Sequence, residues 1–447
     1  MSIRNRIHFI LAAAVLALLL TGCIIRPPEE LFRLPMQTEE YNSLREAIGR
    51  VMGPDMSYSS PISGTNQQPV QMADLDGDGE DEAIVFLKAA GEHPLRTFVF
   101  DRIGDSFRNV CVIEGDGSDF AQVEYAQLDG TDGLEIIIGR QLNNQVLQSI
   151  GAYSLQDGSP VELMSASYSE FSIVDLDGDG CRDLFLLRFT SEGRAGVAEL
   201  YRCRSGEMER EPELTLSVGI GSIRSIQTGN LTDGQLAIFV SGVLSDSSII
   251  TDIFTILDDR FSSISSSDDL GLHSEVVRGF NAYVTDIDED GLMEIPEVVP
   301  LPHYTGTDDE TVYSAIRWYG LDPAALELTL RETTFHSYTG GWFFAMPERI
   351  GSNFLVSRGN PVSGANGVIF YDNSGTEAPE ILFTVYSFTG SERSMLASAD
   401  GRFSVGTKSD TAYSVLLGPA AQRLGLSQAE LTAMFRYIRI NWNSGET

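Results

Sequence analysis

Lysine is nearly missing from this chain: Lys88 and Lys408 are the only two in 447 residues. Arginine supplies the other cations, and Lys plus Arg reach 30 against 64 Asp plus Glu, a formal net charge of −34. So acidic a balance argues against nucleic-acid binding, because phosphate contacts need basic patches. Histidine is scarce too, five in all. Beyond the leader only His93, His273, His303 and His336 remain, and no two stand at the spacing of a zinc-binding helix. No G-x-S-x-G elbow occurs, so the usual serine-hydrolase nucleophile is absent. Gly219-Ile220-Gly221 lacks the third glycine and the βαβ context of a dinucleotide site, and reads as a turn. Cysteine numbers four. Cys111, Cys181 and Cys203 cannot all pair with one another, which excludes a disulfide scaffold.

The one long apolar run is N-terminal. Arg4 and Arg6 precede Phe9 to Leu20, a stretch too short for a comfortable membrane span. Leu20-Thr21-Gly22-Cys23 follows. The arrangement resembles the bacterial lipoprotein signal, which implies removal of 1–22, lipidation of Cys23 and anchoring outside the cytoplasm through acyl chains. Residues 23–37 then read as a tether and 38–65 as a helix with a linker. Leu44, Ile48 and Val51 give the helical spacing, and Gly53-Pro54 stops it.

Acids are present in a pattern. Asp74-Leu75-Asp76-Gly77-Asp78-Gly79-Glu80-Asp81-Glu82 returns as 175–183 and again as 286–294. Carboxylates recur at positions 1, 3, 5 and 9, with Gly at position 6. Alternate acids on a tight turn aim oxygens inward, the glycine allows the bend, and the carbonyl of position 7 adds a donor. That is an all-oxygen cage suited to Ca²⁺. An EF-hand would put its last acid at position 12 and a helix afterwards. Here an aliphatic strand follows. The expected ligands are Asp74, Asp76, Asp78 and Glu82; Asp175, Asp177, Asp179 and Asp183; Asp286, Asp288, Asp290 and Glu294. The carbonyls of Glu80, Cys181 and Leu292 complete each set. Degenerate copies start at Gln127 and Asn230. The five starts are about 50 residues apart, room for four strands per unit.

The loop, the strand after it and the period together resemble the FG-GAP/VCBS repeat family over residues 66–333. The resemblance implies a mainly β chain folded as a calcium-binding, integrin-α-like β-propeller of about five four-stranded blades, six or seven if later segments join. Pro69 to Ala73 would then supply the missing strand of the last unit and close the ring.

After Thr334 the loop motif stops, and 334–447 reads as a separate small α+β domain. Asp372 to Glu380 has the outline of a sixth degenerate loop. Ser427-Gln428-Ala429-Glu430 is a capping box, and Leu431, Met434, Phe435 and Ile438 follow at helical spacing. A hairpin turning near Ser191-Glu192-Gly193 would set Cys181 opposite Cys203, as a disulfide or as two thiols. Two functional classes follow. One is a membrane-anchored platform that binds an extracellular protein or glycan and is not an enzyme. The other is a polysaccharide-active enzyme of the lyase-like propeller type, for which the chain is poor in basic side chains.

Overall fold

The computed structural model describes residues 39–439 apart from 143–147, 189–194, 220–221, 266–276, 279–281, 307–310, 360–364 and 376–377. The leader, Cys23, the tether and the turn at 191–193 lie outside the described residues. Among those described, no helix is long and apolar enough to cross a membrane.

The chain is mainly β, and its described residues form six antiparallel sheets, five of five strands and one of four. The first four share one plan. An inner strand runs into an acidic loop, the next strand pairs back on it, and two more follow outward in sequence. In the first sheet these are Val70–Ala73, Glu82–Lys88, Leu95–Ile103 and Ser106–Gly115. The second strand of each of these four sheets is buried over nearly its whole length, as in Glu82–Lys88 and Asp183–Arg188, because both its faces are covered, by neighbouring sheets or, on the outer face of the first, by a helix. That explains the unbroken aliphatic runs after each loop.

The hydrophobic clusters couple the sheets in order. Phe86 and Ile84 of the first meet Phe120 and Ile138 of the second. Ile137 and Met164 meet Leu184 and Tyr201 of the third. Phe185 packs on Phe254 of the fourth, and Phe239 shares a cluster with Ile295 of the fifth. The helix Glu39–Val51 covers the remaining face of the first sheet, setting Ala47 and Ile48 on Val85, Phe98 and Phe100. At the other end the short helix Arg393–Ala397 covers Tyr386 and Phe388 of the sixth. Each end of the stack is therefore capped by a helix.

Three expectations need correction: the closing strand, the boundary at 334 and the extent of the last helix. Val70–Ala73 pairs with Glu82–Lys88 of its own sheet and completes no later unit. Five sheets carry the repeat loops, and a sixth, built from Phe354–Gly359, Ala365–Asp372, Glu380–Thr389, Phe403–Lys408 and Thr411–Leu417, follows them. The boundary at 334 falls inside the strand Glu327–Ser337. That strand pairs onward with Trp342–Met346, which pairs with Phe435–Tyr437. A single cluster joins Ala315 and Phe335 to Phe344, Phe370, Val415 and Phe435. Trp342–Met346 and Phe435–Tyr437 thus complete the fifth sheet, and the sheet built from 354–417 shares one core with it. The capping box on Ser427 is present, but its helix ends at Met434, and Phe435 enters the sheet.

Candidate metal centre

The three strong loops close by the same hydrogen-bond ladder. The position-1 carboxylate accepts from the position-6 amide: Gly79 to Asp74 at 3.0 Å, Gly180 to Asp175 at 3.2 Å, Gly291 to Asp286 at 3.0 Å. Position 3 accepts from position 5, as when Asp78 donates to Asp76 at 3.1 Å. Position 5 accepts from the amide of position 7, and Glu80, Cys181 and Leu292 each donate at 2.8 Å. The position-6 glycines sit at φ of +88°, +95° and +90°, a backbone state that disfavours any Cβ. At position 4 the third loop holds Glu289 at φ +66°, where the first two have Gly77 and Gly178.

This ladder brings Asp74, Asp76 and Asp78 together, and likewise Asp175, Asp177 and Asp179, and Asp286, Asp288 and Asp290. In each triad the three oxygens lie within 4.8 Å of one another. Each triad could hold a metal ion. The donors are all carboxylate oxygens, which suits a hard cation. Asp175 Oδ1 is a buried oxygen without a hydrogen-bond partner, and a cation in its triad would satisfy it.

The position-9 acids stand apart from the triads. Glu82, Asp183 and Glu294, with Glu135 of the first degenerate loop, are each 2 % exposed or less. Each accepts from the amide of position 2: Leu75 to Glu82 at 2.7 Å, Leu176 to Asp183 at 2.9 Å, Ile287 to Glu294 at 3.0 Å, and Leu128 to Glu135. Desolvation pushes all four carboxyls up to about 7, against the backbone hydrogen bond that lowers them. The fourth acid therefore pins the loop from below as well as offering oxygen. The sequence reading missed its partner, the aliphatic residue at position 2. Leu75, Leu128, Leu176, Leu231 and Ile287 are all buried, and that recurrence was visible in the five loops.

A pH effect follows with a definite sign. A carboxyl raised to about 7 when folded binds protons more tightly than in the unfolded chain, so its contribution to stability falls as pH rises from about 4 to about 7. Cation uptake by the strong loops should offset that loss and release protons near pH 6, with little release near pH 8. Calorimetry in two buffers of different ionisation enthalpy measures this. Equal heats at pH 6 in both buffers would show that the position-9 acids do not respond to the ion.

The second loop differs from its siblings. Arg202, its side chain 3 % exposed, pairs with Asp177, with Glu211 at 3.1 Å and with Asp259 at 3.1 Å. A guanidinium thus already offsets part of the negative charge of this triad. The degenerate loop at 127 keeps one rung of the ladder, Thr131 donating to Asp129 Oδ1 at 2.9 Å, and closes on Gln127 in place of the first acid through Gly130 at position 4, which donates to Gln127 Oε1 at 2.9 Å. Gln127 and Thr131 leave it short of carboxylates. The loop at 230 closes through Leu231 and Gln235 and gathers no triad. Cys181 and Cys203 are free thiols that interact; burial, then this contact, pushes Cys181 up to about 12. The hairpin register sets Arg188 opposite Val197, one residue away from the alignment expected from sequence.

Adjacent loops touch. Leu134 donates to the Asp74 carbonyl at 2.9 Å, Arg182 to that of Gln127 at 2.7 Å, and Met293 to that of Asn230 at 2.8 Å. The first three loops form one hydrogen-bonded run along an edge of the stack, and the last two form another.

No family model and no curated relative matches this chain. Among solved structures it is similar to Sqt1 of Chaetomium thermophilum at 12 % identity, over 81 % of this chain and 97 % of that one, with a TM-score of 0.30. It is similar to the exotype rhamnogalacturonan lyase YesX at 14 % identity over 73 % and 70 %, with a TM-score of 0.29. It is also similar to a putative 6-phosphogluconolactonase from Bacteroides fragilis at 10 % identity over 71 % and 90 %, with a TM-score of 0.25.

Proposed function

We propose that this chain is a lipid-anchored extracytoplasmic protein whose propeller-like succession of sheets, stiffened by Ca²⁺ in its acidic loops, is a platform for a protein or glycan ligand. The observation that carries this reading is the repeated triad. Three loops, far apart in sequence, reach one hydrogen-bonding pattern and each gather three carboxylates at the same place in a sheet. Like charges held that close repel, and a divalent cation relieves the repulsion while fixing the edge of the stack. Extracellular modules commonly bind Ca²⁺ at ~10⁻⁴–10⁻³ M, the range of external calcium. No nucleic acid is expected as a partner, given the net charge of −34.

Two measurements test it together. Cys23→Ser should release the protein from membranes. If that variant stays in the membrane fraction after high-salt and carbonate washes, the anchor lies elsewhere. The chain from residue 24 onward should retain a glycan or protein ligand on an array with calcium and lose it with chelator. Retention that ignores calcium would separate the platform from its metal.

A further inference from the structure

A cavity of about 430 Å³ opens between the fifth and sixth sheets, away from the acidic loops. Its floor is one face of the sixth sheet, and that face changes character along its length. Val368, Val385 and Val415 stand side by side across three strands and belong to the core. Two residues further along the same face the row reads Asn366, Ser387 and Tyr413, and two further it reads Thr389 and Thr411. Pure packing on the fifth sheet would have continued the valines. Where the cavity opens to solvent the same face turns to amide and hydroxyl groups, which can hydrogen-bond a polar guest in place of water.

The opposite wall comes from the end of the strand Glu327–Ser337 and the turn after it, with Ser337 and Thr339. Tyr413 Oη donates to the Gly340 carbonyl at 2.8 Å and ties wall to floor. Arg358 stands at the rim. It donates to Thr339 Oγ1 at 3.1 Å, and its guanidinium lies 5.9 Å from the Tyr313 ring centroid. No acidic residue is among the described residues of the lining, in a chain with 64 of them. An arginine at the rim and hydroxyls within select for negative charge joined to hydroxyl groups.

We propose that this cleft binds a small hydroxylated carboxylate, a sugar acid, with Arg358 on the carboxylate and Asn366, Ser387, Thr389 and Thr411 on the hydroxyls. This names a ligand class for the platform proposed above, and its test is separate from those of the calcium and the anchor.

The test is titration of the full chain, in calcium, with glucuronate, glucose, acetate and inorganic phosphate, followed by calorimetry. A short oligosaccharide ending in glucuronate, run beside the free acid, tells a glycan terminus from a free metabolite. Glucuronate should bind saturably and the other three at least about tenfold more weakly, since each lacks either the charge or the hydroxyls the site reads. Arg358→Gln should cost at least about tenfold in affinity for glucuronate. Arg358 is exposed, so losing its contacts with Thr339 and Tyr313 should lower the unliganded melting temperature only slightly. Thr389→Val, at another exposed position, is the second variant and should weaken glucuronate without restoring a preference for glucose. No binding of either acid form, equal binding of glucose, acetate or phosphate, or full affinity in Arg358→Gln would each overturn the proposal.

Discussion

A chain ending at Thr334 should fail to fold cooperatively. The cut severs the strand Glu327–Ser337 and removes Trp342–Met346, the neighbour that its last five residues pair with. It strips Phe335, Phe344, Phe354 and Phe370 from a cluster that also holds Leu301 and Ala315 of the retained part. Phe344 is fully buried, with its ring centroid 5.1 Å from that of Phe383 and 5.9 Å from that of Phe435. Phe344→Ala should cost about 3–5 kcal/mol, a large part of a typical domain's margin. Denaturant unfolding of the full chain, the truncation and Phe344→Ala measures all three. A truncation that melts sharply, with native near-ultraviolet dichroism, would show that the fifth sheet closes without its C-terminal strands.

Chelator should lower the melting temperature, and Asp76→Ala and Arg202→Gln should move that calcium dependence in opposite directions. Ca²⁺ that binds only the folded chain stabilises by about 2.7 kcal/mol at a hundredfold excess over Kd. Asp76→Ala removes one of three clustered carboxylates, so the gap between melting in calcium and in chelator should narrow. Arg202→Gln removes the cation that offsets Asp177 within the protein. The second triad then repels itself in chelator and offers a freer site in calcium, so the gap should widen. Overall stability in chelator should drop by about 3–5 kcal/mol, the cost of breaking a buried ion pair. Identical gaps in parent and both variants would mean that the ion, if bound, sits outside these loops.

Much of this fold was legible because its repeats are local. An acidic loop and the aliphatic strand after it lie within about fifteen residues, and charge and hydropathy mark both. The ladder that gathers Asp175, Asp177 and Asp179 is set by the same few residues. The helix Glu39–Val51 and the Ser427 box were readable for the same reason. What escaped was non-local. Trp342 finds Tyr437, and Arg202 finds Asp177 across the sheet, by pairings that no window of sequence contains. The stop of the loop motif after 334 misled because the motif marks the inner hairpin of a sheet, not its outer strands. Phe435 and Ile438 continue the helical spacing of Leu431 and Met434, yet Phe435 pairs with Phe344 in the sheet. Over one turn, apolar spacing does not distinguish a helix from a strand that follows it.

The two helical caps carry a consequence for how such a chain can change. A ring fixes its own membership, because adding or losing one sector alters the angle between all the others. Among the described residues the helix Glu39–Val51 covers one face of the first sheet and Arg393–Ala397 one face of the sixth, and the hydrophobic clusters join each sheet to its neighbours in sequence. Length is then a free variable. A copy of one unit of about fifty residues, spliced between loops, would meet matching faces on both sides and leave the caps where they are. Such a molecule can be lengthened by gene duplication one sheet at a time, with no intermediate that must break a circle.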